Sequence, residues 1–455
     1  MTEANSQSVR KAPGPKGGRW LGSLRDFAAD PLELLQRCQR EYGDVATLRL
    51  GKLEGTVLSH PDHIRHVLQS NNKNYNKDTR GIQKLRAVLG LGLITSDGED
   101  WFRHRKIAQP AFKKARIAAY AKIMAKAAEE SANAWLGNIG LNSTHMVDEY
   151  MMQLTLRVVG ECLLGQDVSH KASVVGQALE TVMEVSNKRL VRAIDIPLSW
   201  PTPENRGFRK AVQVLDQVVL GLIQTHRRLE LNESSLLSML IHARDPDTGE
   251  GLSDAQLRDE VITLFTAGHE TTGNALTWLW YLVGKHPEVE AKLQAEVDAV
   301  VGDSTLTLED ADKLVYTTAV IKESMRLYPP VWLFARRALG DDRIDGFPIP
   351  KDSTVWMSAY VVHRHPDLWE RPDAFEPERF LNDNASNQHR FAYFPFGGGP
   401  RQCIGLHFAM LEMQLIVAIL ARKFRFVLDE EHPIDLQPRV TLRPRFGLQM
   451  TLEQR

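Results

Sequence analysis

The sequence is poor in cysteine, since its 455 residues include only Cys38, Cys162 and Cys403. Their odd number, their wide spacing and the lack of a Cys-x-x-Cys pair argue against a disulfide framework and against a zinc cluster. Free thiols are typical of reducing compartments, so we expect a cytoplasmic location. Most lone cysteines are buried and inert, and only one in a special sequence context is expected to do chemistry.

The sequence also lacks an excess of charge of either sign and a long hydrophobic run. Its 56 basic and 57 acidic side chains nearly cancel, which argues against nucleic acid as a partner. No stretch approaches the roughly 18 consecutive apolar residues that a membrane span requires. The polar segment from Met1 to Arg10 lacks the apolar centre of a signal peptide. We therefore expect a protein without a membrane span.

Hydrophobic residues, by contrast, make up 43% of the chain, enough for a large core. Proline and glycine within residues 1–20 predict an extended lead-in. Two β-patterned runs, Val45 to Leu50 and Gly55 to Ser59, predict a hairpin. The pattern from about Pro61 to Val300 is mainly helical, and the last third adds short strands and turns. The sequence thus predicts one domain over residues 21–455, mostly α with small β-sheets (α+β).

The segment Phe396-Gly-Gly-Gly-Pro-Arg-Gln-Cys-Ile-Gly405 surrounds one of the three cysteines. Its consecutive glycines allow positive φ and a close approach of the backbone to a flat ligand. Cys403 stands just before a predicted helix from about Ile404 to Arg422, and the positive end of a helix favours thiolate over thiol. A thiolate is the axial ligand that pushes electron density into a haem iron. Gly405 would leave room for a macrocycle beside the helix start.

A capping box of the form Ser-x-x-Gln begins a long predicted helix from Ser253 to about Gly284. In its middle, the small residues Ala267 and Gly268 would let a planar cofactor or dioxygen approach. Glu270 and Thr271 follow, and an adjacent carboxyl and hydroxyl can relay protons through water to bound dioxygen. The alternative is a solvated glutamate beside a threonine that bonds back to a helix carbonyl and bends the helix locally.

Both segments resemble motifs of the cytochrome P-450 superfamily of haem-thiolate monooxygenases, of the soluble bacterial type. The haem-binding signature Phe-x-x-Gly-x-Arg-x-Cys-x-Gly is matched by Phe396, Gly399, Arg401, Cys403 and Gly405. The mid-helix segment is similar to the family's small-Gly-x-acid-Thr-Thr pattern. The resemblance implies a single triangular-prism-like fold with haem b, Cys403 as the iron ligand, Arg401 at a haem propionate, and Thr271 with its acid partner Glu270 in the oxygen pocket. His269 falls at the variable position and receives no ligand role.

Further motifs extend the resemblance along the chain. Trp101-x-x-x-Arg105 matches a clamp on a haem propionate, and Arg337 would serve the other propionate, with the adjacent Arg336 left open as the alternative. Both the indole N–H and the guanidinium are donors suited to a carboxylate. The resemblance also implies a buried structural network of three charged residues: Glu323, Arg326 and Arg379.

The implied function is a monooxygenase that activates dioxygen to hydroxylate or epoxidise an apolar small molecule. Fatty acids, terpenoids and polyketide-like molecules all remain open as substrates. Peroxide-driven or isomerase chemistry on the same haem, or a non-catalytic haem sensor, are the alternatives. The family's substrate contacts map onto Lys73–Ile94, Gly176–Arg192, Leu264, Ala267, Thr271, Val331–Phe334 and Val440–Leu442.

The sequence shows no GxGxxG motif after a strand and no appended flavin module. We therefore expect a separate ferredoxin or flavodoxin, with its reductase, to supply electrons to a monomeric enzyme. A basic run could meet an acidic partner, although a merely solvated face is equally compatible with it. The run comprises Arg103, Lys106, Lys113, Lys114 and Arg116.

Overall fold

The computed structural model describes residues 10–138, 143–164, 169–192, 196–229, 235–302, 306–381 and 388–455. Within these ranges the chain forms sixteen α-helices and twelve β-strands. The helices are α1 (Leu24–Ala29), α2 (Pro31–Tyr42), α3 (Pro61–Arg65), α4 (Arg80–Leu89), α5 (Gly98–Ala108), α6 (Lys114–Asn138), α7 (Val147–Leu164), α8 (Ser169–Val191), α9 (Pro203–Leu229), α10 (Leu236–His242), α11 (Asp254–Lys285), α12 (Pro287–Val301), α13 (Leu308–Ala311), α14 (Val315–Leu327), α15 (Ala359–Val362) and α16 (Leu406–Lys423). The strands are β1 (Val45–Leu50), β2 (Leu53–Leu58), β3 (Tyr75–Asn76), β4 (Thr144–Met146), β5 (Phe334–Ala338), β6 (Asp342–Ile344), β7 (Phe347–Ile349), β8 (Thr354–Met357), β9 (Phe424–Leu428), β10 (Leu436–Pro438), β11 (Leu442–Pro444) and β12 (Gln449–Gln454).

The largest sheet has five strands in the order β1-β2-β8-β5-β3. It contains the predicted hairpin, in which β1 and β2 pair antiparallel with Val45 opposite Leu58. Strand β2 also pairs in parallel with β8. Gly55 is required there, because a Cβ atom would lie 2.1 Å from the Thr354 carbonyl oxygen. The sheet brings β3 beside β5, so that residues far apart in sequence meet at one edge.

Helix α11 is the longest element, with 32 residues and a length of about 48 Å. It begins with the predicted capping box, in which the Ser253 hydroxyl accepts from the Gln256 N–H and the Gln256 side chain accepts from the Ser253 N–H. In its second half, Trp278 and Trp280 are fully buried. Aromatic side chains bury roughly 150–250 Å² each, and this burial makes α11 a rigid axis of the core.

Helix α16 follows directly after the cysteine segment and matches the helix predicted there to within two residues at its start. Every residue from Leu415 to Ala421 is buried, so this part of the helix is apolar on all sides. A helix that is apolar all round belongs inside a core. It shares one hydrophobic cluster with α6 and α11, and it therefore gives Cys403 a rigid support.

The predicted network of buried charges is confirmed. Arg326 donates from Nε and Nη2 to both oxygens of Glu323, at 2.7 Å each, and both side chains are fully buried. Arg379 joins at 3.3 Å from the same carboxylate. Arg326 also donates to three backbone carbonyl oxygens, those of His363, Pro372 and Ala374. The network thus ties α14 to the chain that leads toward the cysteine segment.

His363 extends this network. Its Nε2 accepts from the Phe394 N–H at 2.9 Å, and its Nδ1 lies 3.2 Å from the Arg326 carbonyl oxygen. Because Nε2 accepts a hydrogen bond, the ring is neutral with its proton on Nδ1. Burial lowers the pKa of His363 to about 3, which keeps it in this state. A neutral histidine therefore links the buried charges to the segment before Cys403.

The fold is mostly α with small β-sheets, as predicted. No helix in the described part of the chain combines the length and the apolar character needed to cross a bilayer.

Candidate cofactor site at Cys403

Cys403 lies in a tight turn just before α16. Gly397 and Gly399 take positive φ values of 68° and 66°, and the Cys403 N–H donates to the Phe396 carbonyl oxygen at 3.0 Å. Although the residue lies deep in the protein, its side chain is exposed to an internal cleft. Burial raises the pKa of the Cys403 thiol, while the Gly405 N–H and the charge of Arg105 act in the opposite direction. A bound metal ion would convert such a thiol to the thiolate.

The cysteine turn packs against a π-helical turn, His66–Ser70. A Cβ atom on Gly399 would lie 1.7 Å from the Leu68 carbonyl oxygen, and the positive φ also favours glycine. At Gly405, by contrast, a Cβ atom would meet nothing closer than the Cys403 Sγ at 3.9 Å. The first glycine therefore serves backbone packing, and the second borders open space beside the sulfur.

The cleft runs between α11 and the start of α16. Residues 267–271 of α11 are only half-buried, although 261–266 before them and 272–280 after them are buried. Residues 404–406 and 408–410 are also half-buried, despite the apolar character of Ile404 and Phe408. Protein side chains thus leave a strip of each helix uncovered beside Cys403. A flat, largely apolar group fits such a gap.

Four cations converge near the sulfur: Lys77, Arg105, Arg336 and Arg401. Burial lowers the pKa of Lys77 to about 7, with further contributions from the Arg336 and Arg401 charges, and burial lowers the pKa of Arg336 to about 10. In the described ranges of the chain, no carboxylate forms an ion pair with Lys77, Arg105 or Arg336, and only Asp97 pairs with Arg401. Buried cations require compensating anions. The cluster therefore fits a ligand with carboxylate groups, such as the two haem propionates.

Trp101 and Arg401 belong to different sequence motifs, and the structure brings them into contact at this site. The Arg401 guanidinium carbon lies 3.9 Å from the centre of the Trp101 ring, a cation–π contact. Arg401 also donates to the Ser96 carbonyl oxygen at 3.0 Å and pairs with Asp97. The second oxygen of Asp97 accepts from the Lys77 N–H at 2.7 Å. Sequence reasoning missed Lys77 and Asp97, because both lie in irregular segments without periodicity.

Arg337, which was predicted as the second propionate partner, has carboxylate partners within the chain. Neighbouring side chains of a strand point to opposite faces, and in β5 it is Arg336 that is buried near Lys77. The Arg337 guanidinium instead forms ion pairs with Asp78 at 3.1 Å and Asp352 at 2.7 Å. This arrangement favours Arg336, the alternative that the sequence had left open, and the choice between the two arginines stays a prediction.

Gly268 also has a role in helix packing. A Cβ atom on Gly268 would lie 2.9 Å from a methyl carbon of Val159, which belongs to α7. In the same interface, Thr155 donates to the His269 carbonyl oxygen at 3.1 Å. The lack of a side chain at Gly268 thus allows α11 to pack closely on α7, and its place beside the cofactor stays a prediction. Burial lowers the pKa of His269 to about 4 and keeps this side chain neutral.

Thr271 and Glu270 are adjacent in sequence but bond in different directions. The Thr271 hydroxyl donates to the Ala267 carbonyl oxygen at 2.5 Å, the backbone bond expected from the sequence. The Glu270 carboxylate accepts from the Thr441 hydroxyl at 2.5 Å, in the loop before β11. Thr441 was not predicted as a partner of Glu270, and 171 residues separate the two.

The apolar segment 331–334 only partly faces the cleft. The Trp332 indole is buried and donates to the Arg439 carbonyl oxygen at 2.8 Å. Phe334 packs on the cysteine turn, since a Cβ atom on Gly397 would lie 3.2 Å from its ring. Val331 and Leu333 are half-buried and are thus the two residues of this segment that remain as candidate substrate contacts.

The predicted basic run is partly neutralised. Arg103 pairs with Glu250 at 3.3 Å, and Lys106 pairs with Asp247. Lys113 and Arg116 are exposed. The side chain of Lys114 lies outside the described residues. Two of the five cations therefore remain as candidate contacts for an acidic partner.

A family model described as "Cytochrome P450" matches residues 12–450. The chain belongs to the cytochrome P450 family. The cofactor of this P450 is therefore haem. The geometry around Cys403 fits that group: an accessible sulfur, an uncovered strip on two helices, and a cluster of four cations of which three have no ion-pair partner in the described ranges.

Relatives of this P450 include enzymes from Streptomyces. Cyclooctatin synthase of Streptomyces melanosporofaciens is 36% identical over 444 residues, 97% of this chain and 94% of that protein. Cyclooctat-9-en-7-ol 5-monooxygenase of the same organism is 34% identical, covering 93% of this chain and 92% of its own. Pentalenene oxygenase of Streptomyces avermitilis is 31% identical, covering 88% and 91%. This chain is accordingly a P450 monooxygenase that uses dioxygen, a redox partner and an apolar substrate.

Proposed function

We propose that this P450 inserts one oxygen atom into a C–H or C=C bond of a terpenoid, within one domain that spans residues 21–455. The observation on which the proposal depends is the exposure of the Cys403 sulfur to an internal cleft between α11 and α16. Cyclooctat-9-en-7-ol and pentalenene, which stand in the names of two relatives, support the terpenoid class. Bound haem supplies the iron at which dioxygen is activated.

The protein residues would hold the haem at two places, its iron and its propionate groups. Cys403 would bind the haem iron through its sulfur, and the Gly405 N–H, which donates to that sulfur, would limit the electron density available to the metal. Lys77, Arg105 and Arg336 would receive the propionates, since burial lowers the pKa of each and none has an ion-pair partner in the described part of the chain. Arg401, held on Trp101, completes the clamp.

Thr271 and Glu270 deliver protons to the side of the cleft that lies opposite Cys403. The hydroxyl of Thr271 is anchored on the Ala267 carbonyl oxygen, so its oxygen offers a lone pair to water in the cleft. Glu270, beside it, supplies protons to that water. General acid catalysis of this kind contributes about 10²–10⁴ in rate.

Substrate is held by shape. Four uncharged side chains offer apolar surface: Leu264 and Ala267 on α11, and Val331 and Leu333 before β5. A terpenoid hydrocarbon has few polar atoms to recognise, so packing sets its orientation and therefore the position of oxidation.

A ferredoxin or flavodoxin, with its reductase, is the proposed electron donor to a monomeric, cytoplasmic enzyme. Lys113, just before α6, and Arg116, in its first turn, are exposed cations close in sequence to Phe112, whose ring lies near Gly405. Acidic redox proteins associate faster with such surfaces at low ionic strength. Cytoplasmic location is a prediction from the free cysteines, of which Cys38 and Cys162 are buried.

The central experiment is the spectrum of the reduced protein with carbon monoxide. Thiolate ligation gives a strongly red-shifted Soret band, which Cys403→Ala should abolish and Cys38→Ala, a change at another buried cysteine, should preserve. Retention of the band in Cys403→Ala would refute the assignment of the ligand.

Product analysis separates the enzymatic alternatives. Purified enzyme with a surrogate ferredoxin system should convert pentalenene or cyclooctat-9-en-7-ol to a product that is heavier by one oxygen atom. A red-shifted band without any product would indicate a haem sensor. Product formed only with hydrogen peroxide would indicate peroxide-driven chemistry.

A further inference from the structure

The carboxylate of Glu270 is turned toward the C-terminal part of the chain. The Thr441 hydroxyl donates to Glu270 Oε1 at 2.5 Å, and Thr441 is 3% exposed. Asn274, one helical turn after Glu270, donates from Nδ2 to the Thr441 Oγ at 3.1 Å. Because an amide nitrogen can only donate, the Thr441 oxygen accepts this bond and its own hydrogen points at Glu270. The hydroxyl is thus oriented as a donor to the carboxylate.

Two buried polar atoms in this region have no hydrogen-bond partner among the described residues. Asn274 Oδ1 is unpaired although the residue is 1% exposed, and so is Asn187 Nδ2, whose residue accepts the neighbouring Val440 N–H at 2.8 Å. Buried polar atoms are almost always satisfied, and where protein atoms do not do this an ordered water usually does. Water beside Thr441 would use the lone pair that its oxygen still has free.

We propose that Thr441 is the hydroxyl through which Glu270 regains the proton that it delivers to the cleft. When Glu270 releases a proton toward Thr271, the Thr441 O–H gives its proton to the carboxylate and takes one from water on its other side. One proton enters and one leaves, so the charge of the chain is unchanged. This role rests on the proton-donating function proposed above for Glu270.

The outer end of this path is charged. Arg439, two residues before Thr441, interacts electrostatically with Arg443, with Glu184 on α8 and with Glu270 itself. Charged side chains such as Glu184, which is half-buried, exchange protons with solvent. The proposed path would lead from the middle of α11, through the Thr441 hydroxyl and water, toward the surface near α8.

The loop that contains Thr441 does not depend on this hydroxyl for its position. The Leu442 N–H donates to the Pro330 carbonyl oxygen at 2.9 Å, and the Trp278 indole donates to the Leu442 carbonyl oxygen at 3.0 Å. The Val440 N–H and the Arg439 carbonyl oxygen have partners of their own. Replacement of Thr441 by the isosteric valine should therefore leave the loop in place.

The test compares Thr441→Val with Thr441→Ser and with Thr277→Val in the haem-loaded enzyme. Thr277 is a matched control, because it is a buried threonine of α11 whose hydroxyl donates only to the Gly273 carbonyl oxygen, at 2.8 Å. Oxygen consumption is measured with pentalenene as the probe and without organic substrate, in water and in deuterium oxide. Spin-state titration with pentalenene and the reduced carbon monoxide spectrum report on structure.

We expect Thr441→Val to consume oxygen about tenfold more slowly, with a larger solvent isotope effect and unchanged spectra. Thr441→Ser should stay within about twofold of the wild type, and Thr277→Val should match it. Wild-type rate and isotope effect in Thr441→Val would overturn the proposal. Glu270→Gln distinguishes the role of Thr441 from the role of Glu270. If oxygen consumption is slow in Glu270→Gln but not in Thr441→Val, only the proposed role of Thr441 is wrong. If it is slow in neither variant, the proton-donating role of Glu270 is wrong as well.

Discussion

Replacement of Arg326 by lysine probes the buried network that supports the cysteine segment. The guanidinium makes five hydrogen bonds, two to Glu323 and three to backbone carbonyl oxygens, at 2.6–2.8 Å. Lysine keeps the charge but offers three donors, so at least two buried acceptors lose their partners. Each lost partner costs about 1–3 kcal/mol. We therefore expect Arg326→Lys to lower the free energy of unfolding by about 4 kcal/mol, a large part of a total that is about 5–15 kcal/mol in most proteins.

The assay is urea denaturation of the haem-loaded protein, followed by far-ultraviolet circular dichroism and by the Soret band. Arg65→Lys is the matched control, because Arg65 also pairs with an acid three residues away, Asp62 at 2.9 Å, with both side chains about half exposed. Such surface pairs contribute about 0–1 kcal/mol. If Arg326→Lys were no more destabilising than Arg65→Lys, the conclusion that this network stabilises the domain would be wrong.

Three further predictions concern the cofactor cradle and its support. Gly399→Ala should yield protein with little haem, measured as the haem-to-protein ratio, because its Cβ atom would lie 1.7 Å from the Leu68 carbonyl oxygen; normal loading would contradict this packing. Arg336→Ala should speed the loss of haem to apomyoglobin while Arg337→Ala should not, and the reverse order would restore the original assignment. Folding lowers the pKa of His363 from 6.5 to about 3. As the pH falls below about 6.5, the unfolded chain therefore binds a proton at this residue while the folded chain does not. The free energy of unfolding should drop by about 1.4 kcal/mol per pH unit until the pH approaches about 3. His363→Gln should lack this slope in urea denaturation at several pH values, and equal slopes would show that the histidine is not held neutral.

The features that sequence reasoning predicted correctly have local causes. The capping box at Ser253 depends on residues three positions apart, and the helix that it begins follows from periodicity and from good helix formers. The turn around Cys403 follows from consecutive glycines, two of which have positive φ. Such signals lie within one segment, and no other part of the chain has to be known.

The features that the sequence could not predict concern which side of an element faces which neighbour. Whether Arg336 or Arg337 points inward depends on the register of β5 against β8, and both residues have the same propensities. The contact of Gly268 with Val159 could not be predicted either, because the closeness of α7 is set by the tertiary packing of α11. The bond between Glu270 and Thr441 joins segments 171 residues apart, and no local pattern could indicate it.

The π-helical turn His66–Ser70 has a consequence for the construction of chimaeras. Because the Leu68 carbonyl oxygen occupies the place where any side chain on Gly399 would stand, the two segments form one interlocking part, although more than three hundred positions of chain separate them. A cysteine turn transplanted from a relative would meet the wrong backbone surface unless the turn at residues 66–70 came with it. Recombination boundaries should therefore be chosen so that these two segments always have the same parent.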